Sequence, residues 1–212
     1  MKQRMTSIFK VLALAVVLLL VLVTFPAAKD KTKGVAGIPS VKAEEIPDWM
    51  ARWELARALS YAKRHDESVT EYQKLLKERP DLSQARIEMA NVLFWQGKKQ
   101  EALSILESVS TRHIDDSSKL LMADLYLSQK DYKKAEPLYR EHLGKNPGDH
   151  GARLKLAEML SWDLQYEASL AEYRAILAAL PGDTQVRRKY AFVLMWAKKY
   201  DEAAAELRKT LK

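Results

Sequence analysis

The chain has 212 residues, no cysteine, seven glycines and a formal charge of +7. The lack of cysteine excludes disulfides, cysteine-bound metal, a thiol nucleophile and a lipidated N-terminal cysteine, and it leaves the compartment undetermined. The basic excess does not argue for nucleic acid: residues 1–43 hold seven basic residues and one acid, whereas residues 44–212 hold 28 and 27 and are nearly neutral.

In chain order, Lys2, Arg4 and Lys10 precede Val11 to Phe25, fifteen residues without charge and with only Thr24 polar; the uncharged stretch reaches 18 at Ala28. That length lies between a long signal-peptide core and a short membrane helix. A cut after Ala28 would place Pro26 three residues back, and a cut after Ala27 would place Phe25 there; both are poor. Ser40 to Ala43 has acceptable chemistry but lies too far away. Residues 1–28 are therefore expected to form an uncleaved signal anchor, a transmembrane helix, with cleavage as the alternative. Lys29, Lys31 and Lys33 balance the charges in front of the run. The default orientation, N-terminus inside, gives a membrane-anchored protein with its remainder exported, periplasmic or extracytoplasmic. Residues 29–48, with Gly34, Gly37, Pro39 and Pro47 among lysines, form a linker.

From Trp49 to the C-terminus a period of about 34 residues governs the sequence. Pro147 and Pro181 are 34 apart, and Pro80 and Pro147 are 67 apart, two periods. "LARALSYAKRHDESVTEYQKLLKERP" (Leu55 to Pro80) answers "LAEMLSWDLQYEASLAEYRAILAALP" (Leu156 to Pro181). A fixed period of this length marks stacked helices. In the first unit Leu55, Ala56 and Leu59 share one helical face; after the polar break Lys63 to Asp66, where His65 falls in the turn, Ser68, Tyr72 and Leu75 share a second. The unit is helix, turn, helix, each helix about 13 residues long. Asp48, Asp149 and Asp183 stand where an N-cap oxygen is wanted, and Asp115-Asp116 opens a helix.

Units starting at 49, 83, 116, 150 and 184 carry Leu55, Met89, Met122, Leu156 and Tyr190 at position 7, and alanine (56, 90, 123, 157, 191) at position 8. Position 20 holds Ser68, Ala102, Ala135, Ser169 and Ala203, and position 24 holds Tyr72, Leu106, Tyr139, Tyr173 and Leu207. This pattern resembles the tetratricopeptide repeat family over residues 49–212. The departures are a non-aromatic position 4, Ile114 where proline is usual, and a fifth unit that stops near position 29, with the Leu207 and Leu211 face open to solvent or to a partner. The resemblance implies an all-α, right-handed solenoid of five helix-turn-helix repeats, behind the N-terminal hydrophobic helix. It also implies a concave groove lined by the first helices. Carried over residue by residue, that groove holds Trp53, Arg57, Asn91, Trp95, Asp124, Glu158, Trp162, Arg188, Phe192 and Trp196. Position 13 reads Tyr61, Trp95, Ser128, Trp162 and Trp196, an aromatic ladder that suits peptide side chains, cations or sugar faces, or that packs against neighbouring helices. The lysine and asparagine clamp that some family members use for a C-terminal carboxylate is absent.

The four histidines show no metal spacing, and no nucleophile elbow, phosphate loop or zinc-protease motif appears, so no enzyme, metal or cofactor is expected. The expected function is a membrane-tethered protein-protein interaction scaffold of the bacterial cell envelope, binding another protein or peptide segment in the groove. Two alternatives stay open. The strings "LFWQGKKQEAL", "LSWDLQYEASL" and "LMWAKKYDEAA" look like repeats of envelope proteins that export polysaccharide or biofilm matrix, where the ladder would contact glycan. Assembly of respiratory or cytochrome complexes is the other, on architecture alone.

Overall fold

The computed structural model describes residues 45–211. The anchor expected over residues 1–28 and nearly all of the linker lie outside this range, and no described helix is long and apolar enough to cross a membrane. The described residues form ten α-helices in five antiparallel pairs: α1 (Asp48–Tyr61) with α2 (His65–Glu78), α3 (Ser83–Trp95) with α4 (Lys99–Glu107), α5 (Asp116–Ser128) with α6 (Tyr132–Lys145), α7 (His150–Trp162) with α8 (Tyr166–Ala179), and α9 (Thr184–Trp196) with α10 (Tyr200–Arg208). Each second helix also packs against the first helix of the next pair, which makes the array a solenoid.

Small residues set the spacing within each pair. The five alanines at position 8 are completely buried, as are Ser68, Ala102, Ala135, Ser169 and Ala203 at position 20. With no bulk beyond Cβ, the two helices approach closely, and the serines use the contact twice over. Ser68 Oγ donates to the Ala56 carbonyl and Ser169 Oγ to the Ala157 carbonyl, both at 2.7 Å. Around this seam lie the buried rings of Tyr72, Tyr139 and Tyr173 at position 24.

Position 4, aromatic in the general pattern, is basic in all five units (Arg52, Arg86, Lys119, Arg153, Arg187). In three units its guanidinium meets a glutamate of the same pair: Arg52 and Glu71 at 2.9 Å, Arg153 and Glu172 at 2.7 Å, Arg187 and Glu206 at 2.5 Å. Arg153 and Arg187 also donate to the carbonyls of Pro147 and Pro181, which close the preceding units. An ion pair and a carbonyl clip thus take the place of an aromatic contact.

Four aspartates cap helices. Asp115 accepts from Ser118 N at 2.8 Å, Asp131 from Lys134 N at 3.2 Å, Asp149 from Ala152 N at 3.0 Å, and Asp183 from Gln185 N and Val186 N. Asp48 does not cap: Pro47 occupies the N-cap position and Asp48 is the first helical residue, where its charge favours the helix dipole. His65 likewise opens α2 rather than sitting in the turn. The second helices are not uniform, since α4 and α10 have nine residues each. After α4 a short 3-10 turn (Thr111–His113) carries the chain to α5, in place of the Pro-Gly-Asp turns that end the third and fourth units.

Leu55 departs from the sequence expectation: it is 48 % exposed, while its counterpart Leu156 is fully buried. Position 7 faces the second helix of the preceding unit, and the described residues place no unit before the first.

Every turn within a pair passes through the left-handed region at position 15: Lys63, Gly97, Lys130, Leu164 and Lys198 have φ between 60° and 79°. Only Gly97 adopts this conformation without a Cβ penalty. Leu164 is 71 % exposed there and packs on little. Leu164→Gly is expected to stabilise the protein by about 0.5–1 kcal/mol, because relief of the left-handed strain outweighs the entropy glycine adds to the unfolded chain. A urea unfolding series would show the midpoint rise.

Candidate functional site

The first helices place their groove residues in a repeating electrostatic frame. Position 9 of one unit meets position 6 of the next, 31 residues on. Arg57 binds Glu88 through Nε at 3.0 Å and Nη2 at 2.7 Å, Lys155 binds both oxygens of Asp124 at 2.8 and 2.6 Å, and Lys189 pairs with Glu158. Asn91 breaks the series, because Leu121 stands where its partner would be. The partners Glu88, Lys155 and Lys189 are the groove residues that sequence reasoning missed. A search for opposite charges 31 residues apart would have found them.

Glu88 is the most heavily bonded acceptor of this face. Besides Arg57 it accepts from Trp53 Nε1 at 2.7 Å, Tyr72 Oη at 3.0 Å and Gln84 Nε2 at 3.3 Å. The Arg57 guanidinium also lies over the Trp53 ring, 4.6 Å from its centroid. Burial alone would raise the Glu88 pKa, but the hydrogen bonds from Arg57 and Trp53 and the guanidinium charge hold it below the ordinary glutamate value. Tyr139 donates to Asp124 in the same manner, and burial with that neighbouring carboxylate pushes its phenol well above the usual range.

Of the ten candidate groove residues, Trp53, Arg57, Asp124 and Glu158 are therefore each bonded to the following unit. Arg188 is tied to the Thr210 carbonyl at 3.0 Å. Asn91 is half-buried. The remaining four are open to solvent: Trp95 is 57 % exposed, and Trp162, Trp196 and Phe192 are each 52 % exposed. The structure separates the candidates into an internally satisfied set, which joins units, and an exposed aromatic set.

The three indoles are the last residues of α3, α7 and α9, on the edge where the turns begin, and Phe192 lies one helical turn earlier. Tyr61, Leu164 and Tyr200 share that edge with the three indoles. Two of the indoles face a neighbouring unit: Trp95 lies 6.0 Å from the ring of His65 at the start of α2, tilted by 36°, and Trp162 faces Leu127, Lys130 and Tyr132 across an open hollow. Each indole is about half exposed, so packing and presentation coexist. Lys63, Lys99, Lys130, Lys133 and Lys198, at the same turns, have no carboxylate partner among the described residues. Among the described residues no cluster of metal-ligating side chains occurs.

Family models described as tetratricopeptide repeat match residues 54–118 and 116–159, which together cover residues 54–159, half of the chain. The chain belongs to the tetratricopeptide repeat family. Solved tetratricopeptide-type structures superimpose on it. The crystal structure of YrrB, described as a tetratricopeptide repeat protein with an unusual peptide-binding site, is 17% identical with a TM-score of 0.69, over 77% of this chain and 84% of that one. The MamA protein is 13% identical with a TM-score of 0.68, over 77% and 90%. MamA from Desulfovibrio magneticus RS-1 is 17% identical with a TM-score of 0.65, over 78% and 95%. At these identities the likeness is one of fold. No curated protein matches the chain.

Proposed function

We propose that this tetratricopeptide repeat protein is a non-catalytic scaffold of the cell envelope, tethered by residues 1–28, whose array binds another protein or a peptide segment. The observation that carries the reading is the exposed row Trp95, Trp162 and Trp196 with Phe192. Tryptophan is among the residues that dominate protein interfaces, and half-buried rings lose little entropy when a partner covers the rest. The groove-side ion pairs support the same reading, because they fix the first helices and leave the aromatic edge pre-formed. The unusual peptide-binding site of YrrB gives this fold a precedent, not this chain a ligand.

The test is crosslinked affinity capture from native membranes, comparing the intact chain with a triple Trp95→Gln, Trp162→Gln, Trp196→Gln variant. Glutamine keeps a methylene stem over the packed side of each site. Thermal melts confirm that the variant folds. A captured protein that falls at least tenfold with the variant is the expected result; unchanged capture would assign the indoles to packing alone.

A further inference from the structure

The aromatic row is interrupted at the third unit. Position 13 holds an aromatic ring in the other four units and Ser128 here. Where the side chain is missing, the structure has an open hollow of about 430 Å³ lined by Leu127, Ser128, Lys130, Tyr132 and Trp162. The indole of Trp162 and the ring of Tyr132 form its aromatic walls, and Leu127 adds an aliphatic one. The volume falls within the range of side-chain and small-ligand pockets.

Lys130 is the one charged residue among those that line the hollow. Lys130, held at φ 61° at the tip of its turn, has no carboxylate partner among the described residues. The nearest acid in sequence, Asp131, is committed: its side chain accepts from Lys134 N and lies 3.6 Å from the Lys134 amine. Asp163, next to Trp162, accepts from Gln165 Nε2 at 2.7 Å. A ligand seated here meets aromatic and aliphatic walls and one free ammonium.

We propose that this hollow is a recognition pocket for an aromatic side chain of a partner protein that carries a carboxylate beside it. The partner's ring takes the place the row leaves empty at Ser128, stacked against Trp162 and Tyr132, and its carboxylate meets Lys130. This rests on the reading of the edge as a protein-binding surface.

The test pans a random dodecapeptide display library on the immobilised full-length chain, then measures each enriched peptide on the Ser128→Trp and Lys130→Glu variants. Ser128→Trp installs the residue three other units carry at this position. Lys130→Glu alters only an exposed side chain and stands in if the first variant does not fold. The expected result is enrichment of peptides with an aromatic residue within two positions of an acid, whose affinity falls at least tenfold in both variants. Enriched peptides that bind the variants as well as the parent would overturn the pocket and leave the edge as a binding surface. Failure to enrich any peptide would overturn both.

Discussion

Leu156→Ala is expected to destabilise the array by about 3 kcal/mol, the cost of a buried leucine truncation in a site that cannot collapse. Leu156 is fully buried at position 7 of α7, beside Leu143 and Gly144 at the end of α6. It therefore belongs to the junction between the third and fourth units, and its loss weakens the contact that couples the two halves of the solenoid. The matched control is Leu55→Ala, the same position of the first unit, where the side chain is already half exposed and the cost is expected to stay below about 1 kcal/mol. Urea unfolding followed by circular dichroism measures both. In a quasi-one-dimensional array the Leu156 variant is also expected to unfold over a broader range, because a weak junction uncouples the units on either side. Equal costs at the two positions would contradict the stacking order described above.

Glu88→Ala is expected to cost about 2 kcal/mol, because it leaves the buried phenol of Tyr72 and the half-buried guanidinium of Arg57 without their acceptor. The carboxylate takes bonds from four side chains of three helices, α1, α2 and α3, so its removal loosens the first two units together. Its pKa gives the sign of a pH dependence. The folded value lies below the ordinary 4.5, so the protein prefers the ionised form in the folded state. The stabilisation is complete above the ordinary value and is lost as the pH falls through the lower, folded value. Wild type and Glu88→Gln should therefore differ most near neutrality and converge in acid, as measured by melting temperature from pH 7 downward. A constant gap would place the stabilisation of Glu88 in packing rather than in charge.

The repeat boundaries were legible in the sequence because they rest on short-range chemistry. Proline after a second helix, alanine at position 8 and a small residue at position 20 are each forced by local geometry, and the first helices start within one residue of the unit starts read from the period. What escaped were facts about neighbours. Leu55 has the identity of a core residue, and its place in the first of the described units leaves it exposed. Trp53 and Arg57 have the identity of groove residues, and only Glu88, contributed by the next unit, shows them to be bonded inward. The same holds for Arg at position 4, whose non-aromatic character reads as a mild departure from the pattern and is explained by glutamates 19 residues on. The exposure of Trp95, Trp162 and Trp196 could not be ranked against burial by spacing alone, since each position-13 indole is about half exposed. The nine-residue α4 had one signal, the missing proline at Ile114, which marks the unit where the chain takes another route.

A partner is expected to meet the aromatic edge and not the faces of the second helices. The most direct measurement is site-specific photocrosslinking in native membranes, with a benzophenone amino acid in place of Trp95 or Trp162 and, as controls, in place of the exposed residues Gln73 of α2 and Ala175 of α8. One and the same protein is expected to be crosslinked from both tryptophan positions and from neither control. Crosslinks to that protein from the control positions, with none from Trp95 or Trp162, would contradict this.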